Sequence, residues 1–416
     1  MNTHDLNNLR NLAGALAECA AEPINTERIA GWTALNALQP GRSMVLIYQV
    51  PWHEMNVDDE LTLRCTSPDA RAVEDEMRRR LYSWRHMPGD MVIEPVWRVP
   101  RVLRDEGFGL DESVDIVRTD DANDVVSRAF HPRIREYDDL ELIRFPRVTA
   151  DEPATIARYS ELHEAFGDLL SVQVVGVDYL SYAPWDWLVR LWGVTEALED
   201  LIERPELVHA AMQRLTDAYL YWLDQLEDQC LLDISNASLT GQGGLGYCDE
   251  LPSVLYAGGR VTPGNMWGGA MSQILAAVSP AMHEEFALQY EARFLNRCGL
   301  SYYGCCDPLD TKVAILRRNL TTLRKVSMSP WVDVARGAAA VGRDYVFSFK
   351  PSPAVLAGDS FDAGYVKSQL AEVLHIARGC RVELILKDIS TVRYQPQRLW
   401  AWARAAQEAV AEAAGA

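Results

Sequence analysis

The chain has 416 residues, of which 48% are hydrophobic and 9% aromatic, and a formal net charge of −19. That composition is too apolar for a disordered chain and is enough for one large α/β unit or two domains. With no compensating run of Lys or Arg, the acidic balance argues against binding nucleic acid or anionic membranes non-specifically, so an anionic substrate would have to be drawn by local groups such as Lys350 and Lys387.

Met1 to Ala21 shows no long apolar stretch after basic residues, and no window approaches the roughly 18 apolar residues of a membrane span; a cytoplasmic protein is expected. Cysteines at 19, 65, 230, 248, 298, 305, 306 and 380 follow no disulfide-framework spacing and include no Cys-x-x-Cys pair, which predicts mostly reduced thiols.

In chain order, residues 1–40 read as a helical N-terminal extension ahead of a single domain, 41–416. A β-rich run, Ser43 to Val50, stops at Pro51-Trp52-His53-Glu54. An amphipathic stretch from Asp69 to Trp84 precedes a second run, Asp90 to Pro95. The charged region around 101–160 reads as an insertion after that second strand. A third run is Leu170 to Val175, and Glu196 to Gln229 has helical periodicity. A fourth run, Leu231 to Leu239, ends at Gly241-Gln242-Gly243-Gly244, expected to be a flexible active-site loop.

The remainder is more regular. Leu300 to Gly304 leads into Cys305-Cys306-Asp307, Leu323 to Ser327 into Met328-Ser329-Pro330-Trp331, Asp344 to Ser348 into Phe349-Lys350-Pro351, and Val382 to Leu386 into Lys387-Asp388. Helical stretches at 309–318, 332–341 and 365–378 separate these runs, and 397–416 closes the chain. Eight β runs alternating with helices predict an α/β fold, a (β/α)8 TIM barrel with chemistry at its strand ends. A doubly wound open sheet is the alternative. Against it, Gly241 to Gly246 lacks the dinucleotide fingerprint and no helix follows.

The strand-end residues define the candidate site. Cys305 and Cys306 are free thiols, metal ligands or packing; as adjacent residues on an extended chain they point in different directions. Zinc takes N, S and O donors, so His53, Cys248, Glu54 and Asp307 are further candidate ligands. His53 could instead be a loop histidine on Trp52, and Cys248 a thiol without a role. Lys387 and Lys350 could bind a carboxylate, form a Schiff base or act as bases, with Asp388 or Glu54 carrying a proton; simple ion pairing is the commoner fate. Trp52, Tyr302, Tyr303, Trp331 and Gln242 are candidate substrate contacts, whereas Trp267 reads better as packing.

The strand-end order, the stretch Ser279-Pro-Ala-Met-His-Glu-Glu-Phe286 and the passage from Tyr303-Gly304-Cys305 to the last strand resemble the uroporphyrinogen decarboxylase superfamily over roughly residues 40–412. They are closer to its zinc-dependent, corrinoid-linked methyltransferases than to the decarboxylase. Those methyltransferases carry His-x-Cys at this strand and a later Cys. Here Tyr303 stands at the His position, Cys305 is retained and the last strand ends in Lys387-Asp388. The decarboxylase's Arg-bearing N-terminal motif is replaced by Pro51-Trp52-His53-Glu54-Met55.

The resemblance implies a homodimeric methyltransferase that passes a methyl group from a small methylated or methoxylated compound to a thiol or to a partner's corrinoid, with zinc on Cys305 or Cys306 together with His53 or Glu54. A cobalamin-binding Asp-x-His-x-x-Gly motif is absent from this chain, so the corrinoid would belong to a partner protein. The rival expectations are a metal-free decarboxylase or lyase acting on a small carboxylic acid through Lys387 or Lys350, and a barrel that binds a ligand without turning it over.

Overall fold

A computed structural model describes residues 1–118, 126–234, 236–252, 256 and 258–415. The chain is an α/β protein built on a long parallel sheet. Its seven strands run, in spatial order, Met44–Ile47, Arg381–Leu386, Val346–Phe349, Leu323–Met328, Leu300–Tyr303, Trp267–Ala270 and Leu180–Tyr182. Every neighbouring pair is parallel. Helices Val313–Asn319, Val334–Val341 and Ala363–Ile376 supply the crossovers in the C-terminal half, and Gln397–Gly415 follows the last strand. Parallel neighbours require such crossovers.

Two expected strands are placed differently. Residues 90–95 are not a strand; Asp90 is instead pinned beside the first strand, its N–H donating to Val45 O at 2.7 Å and its Oδ2 accepting from Val45 N at 2.7 Å. The β structure begins later, at Val96–Pro100, which pairs in parallel with Ser171–Val175. Among the described residues of the run from Leu231 to Leu239 only single bridges form, Leu232 with Val177 and Leu239 with Leu245. Two short strands of the parallel sheet were not foreseen: Leu180–Tyr182 and the Trp-Gly-Gly-Ala strand 267–270. Their low β content hid them, and burial between neighbours overrides it.

The N-terminal helices are Thr3–Ala20 and Ile24–Asn36. The first packs on helix Pro68–His86 through Leu9, Ala13, Leu16 and Met77. Among the described residues of 101–160 are two short antiparallel pairs, Leu103–Asp105 with Val148–Ala150 and Val114–Val117 with Ser127–Phe130, before helix Glu152–Phe166 begins. No helix among the described residues is long and apolar enough to cross a membrane.

Side chains alternate across the sheet, so residues two apart share a face. One face meets the helices through Tyr303, Val326, Phe347, Phe349, Leu384 and Leu386. The other is polar, carrying Lys325 and Ser327, Ser348 and Lys350, Glu383 and Lys387, all buried. Across this polar face lies the segment from Thr240 to Gly246. Side chains there have no room: a Cβ on Gly241 would stand 2.5 Å from the Tyr302 ring, one on Gly243 2.6 Å from Glu383 Oε1, and one on Gly244 2.3 Å from the Trp32 ring. The expected flexible loop is thus a packed strap, tied by Gly244 N–H to Glu383 Oε1 (3.2 Å), Tyr48 OH to Gln242 O (2.7 Å) and Tyr179 OH to Gly241 O (3.1 Å).

Candidate active site

The strand Leu300–Tyr303 ends at Gly304, whose φ of +98° turns the chain sharply. A Cβ there would lie 2.4 Å from Leu309 Cδ1 and 2.9 Å from Ser327 Cβ, so only glycine fits. The turn carries Cys305 and Cys306 out of extended alternation and brings their sulfurs 3.4 Å apart. Asp307 Oδ1 accepts the Cys305 N–H at 3.1 Å, and Ser327 Oγ donates to Cys305 O at 2.6 Å, which anchors the turn from both sides.

The last strand delivers the opposite charge. Lys387 Nζ is 3.4 Å from Cys305 Sγ, 4.0 Å from Cys306 Sγ and 2.7 Å from Asp388 Oδ2. Cys306 Sγ lies 3.2 Å from Asp388 Oδ2, and the Asp388 N–H is held by Gln49 Oε1 at 3.1 Å. Asp388 sits at a left-handed φ of +56°, which turns its carboxylate back toward the thiols.

This arrangement polarises the pair. The hydrogen bond from Cys306 brings the Cys305 thiol down to about 7, with burial opposing and the Lys387 ammonium assisting. The same bond and burial push the Cys306 thiol up. Burial favours neutral Lys387, but the Cys305 thiolate and Asp388 outweigh it and raise its value. Near neutral pH Cys305 is therefore shared between thiolate and thiol while Cys306 stays protonated, and only the thiolate is a strong nucleophile.

Beneath the strap lies a second group. Lys350 Nζ donates to Tyr302 OH, to Ser348 Oγ at 2.7 Å and to Ser348 O at 3.1 Å. Burial lowers its value to about 7. Lys325 and Glu383, both fully buried, pair at 2.9 Å between the rings of Trp32 and Trp267. These two residues were missed in the sequence, although polar residues at every second position of a buried strand mark an inward polar face.

Of the expected site residues, Cys305, Cys306, Lys387 and Asp388 come together, with Lys350 and Tyr302 behind them and Gln242 on the strap. The others lie apart. The Glu54 carboxylate accepts from Thr391 Oγ1 (2.6 Å), Val392 N (2.6 Å) and Tyr394 N (3.2 Å), so it holds the 391–394 segment. His53 faces Glu54 and the Tyr394 ring, and its buried Nε2 has no hydrogen-bond partner. Trp52 packs on Tyr82 and Arg79. Cys248 clusters with Leu251, Trp267 and Leu300, where two strands begin, at the opposite end of the sheet from Cys305. Trp331 is 75% exposed. Tyr303 turns to the helices, its OH donating to Glu291 Oε2 and bonded to His283 Nε2, both at 2.6 Å.

The expected ligand set of Cys305, Cys306, His53 and Cys248 is therefore not assembled. Among the described residues no group of three or more His, Cys, Asp and Glu side chains is arranged to hold a metal ion. The charge facing Cys305 and Asp388 is the Lys387 ammonium, and zinc binding there would have to displace it. Tyr179, Ser181, Gly241, Gln242, Gly269, Ala270, Met271, Tyr302 and Gly304 line a tight crevice that ends one residue before Cys305 and has no room for a water molecule. A larger hollow, ≈ 230 Å³, lies at Met1, Trp97 and Arg158 and contains none of these groups.

No family model and no curated protein matches the chain. Solved structures do match, 22 chains in all. One is a methyltransferase from Methanosarcina mazei, similar at a TM-score of 0.51 and 13% identity over 92% of this chain and 98% of that one. At that identity the likeness is one of fold.

Proposed function

We propose that the chain is a methyl-transfer enzyme for a small methylated or methoxylated substrate, with Cys305 as the reacting thiolate. The reading takes the seven-stranded sheet and the pair Val96–Pro100 with Ser171–Val175 as two arcs of one (β/α)8-type barrel, the thiol cluster being at its mouth. The observation that carries it is Lys387 Nζ 3.4 Å from Cys305 Sγ, which sets an ammonium against a nucleophile at a strand end. The fold shared with the Methanosarcina methyltransferase supports it.

In the first half-reaction a sulfur lone pair forms the S–CH3 bond while the methyl's bond to O, N or S breaks. The leaving heteroatom keeps that electron pair and takes a proton from water. Lys387 steadies the developing charge and Asp388 holds Lys387 in place. A thiol, or the cobalt of a separate corrinoid protein, then takes the methyl group. No step is routed through zinc.

Incubation with small methyl donors, followed by peptide mass analysis, tests the reading. One methyl mass gained at Cys305 and absent in Cys305→Ser is the expected result; donor turnover undiminished in Cys305→Ser would reject it. A metal-free lyase is the second reading, favoured by Lys387 being held charged beside half-exposed Asp388, where a substrate carboxylate could dock. It predicts the reverse pattern, with activity kept in Cys305→Ser and lost in Lys387→Met.

A further inference from the structure

We propose that Cys305 and Cys306 are a reversible oxidation site that closes to a vicinal disulfide when the protein meets hydrogen peroxide. Neighbouring cysteines on an extended chain point apart. Here the turn at Gly304 brings the two sulfurs to 3.4 Å, so only about 1.4 Å of closure separates contact from an S–S bond. Three further observations suit the reaction. Cys306 is half-buried and reaches solvent. Its Sγ lies 3.2 Å from Asp388 Oδ2, an acceptor for the thiol proton. Lys387 Nζ, 3.4 Å from Cys305 Sγ, stabilises negative charge on that sulfur.

The steps balance. The Cys305 thiolate attacks one peroxide oxygen and the O–O bond breaks, leaving a Cys305 sulfenic acid and a hydroxide that is protonated to water. Cys306 gives its proton to Asp388, and its sulfur attacks the Cys305 sulfur. The displaced hydroxide takes that proton and leaves as the second water. Two thiols are oxidised and one peroxide is reduced to two waters. A thiol reductant reverses the change by exchange. Loss of methyl transfer in the oxidised form rests on the function proposed above; formation of the disulfide does not.

The test is peroxide treatment of the full chain, then mass analysis of peptide 298–312, which also holds Cys298. Cys298 is fully packed and bonded to Phe294 O at 3.8 Å, and it serves as the control. Wild type and Cys298→Ala should both yield a peptide lighter by two hydrogens and restored by dithiothreitol, whereas Cys306→Ser should accumulate oxygen on Cys305 instead. A wild-type peptide that stays unchanged or only gains oxygen overturns the proposal. So does a mass loss that disappears in Cys298→Ala.

Discussion

Lys387 Nζ and Cys305 Sγ, 82 residues apart in sequence, meet at 3.4 Å where two parallel strands end. Replacing the ammonium with an uncharged side chain of similar length, Lys387→Met, should raise the Cys305 thiol from about 7 by about one to two units, the size of effect expected from losing an opposite charge at this range. The rate of iodoacetamide alkylation against pH reports it directly. The wild-type rate should climb through about pH 7, and an unchanged midpoint in the variant would show that Lys387 does not hold the thiolate.

Lys350 makes stability depend on pH. Burial lowers its folded value to about 7 from the ordinary 10.5. Between those pH values the unfolded chain binds the extra proton, so wild-type stability should rise with pH relative to Lys350→Met and level off above about 10.5. Urea midpoints of the two proteins at several pH values check the slope and its sign.

Glu383 pairs with Lys325 and accepts from the Gly244 N–H. Glu383→Leu should cost about 3–5 kcal/mol because it strands a buried ammonium, and Lys325→Met in the same chain should recover most of the loss. Denaturant unfolding of the two single variants and the double variant measures the coupling.

Gly304→Ala forces a Cβ against Leu309 and Ser327 at a positive φ. A loss of more than about 1 kcal/mol is expected, together with a rise in the Cys305 thiol toward an ordinary value as the turn moves. Thermal unfolding and the alkylation profile read the two effects separately.

Glu54→Gln tests whether that carboxylate does chemistry. Removing the charge-assisted acceptor of Thr391, Val392 and Tyr394 should cost about 1–3 kcal/mol. Activity per folded molecule should persist at low temperature; its abolition would return Glu54 to the reacting set.

The C-terminal strands were legible because runs such as Leu300 to Tyr303 and Arg381 to Leu386 are rich in β-forming residues and bounded by Gly or polar residues, and the helices between them have regular periodicity. The same local signals pointed to Cys305, Cys306, Lys387 and Asp388 one residue at a time. Trp-Gly-Gly-Ala 267–270 carried no such signal, and residues 90–95 and 231–239 carried a misleading one, since strand pairing depends on which neighbour is available and local propensity does not report it.

By itself the sequence determined the α/β class, the positions of the C-terminal strands and the residue types that end them, because these follow from periodicity and turn chemistry within short windows. Only the tertiary structure decided which of those residues meet. Glu54, His53 and Cys248 share the residue types of a metal site but lie with other partners, while Lys325 and Glu383, 58 residues apart, close a buried ion pair. The physical reason is that a hydrogen bond or ion pair acts over about 3–4 Å, and positions distant in the chain come within that range only through packing of the whole sheet.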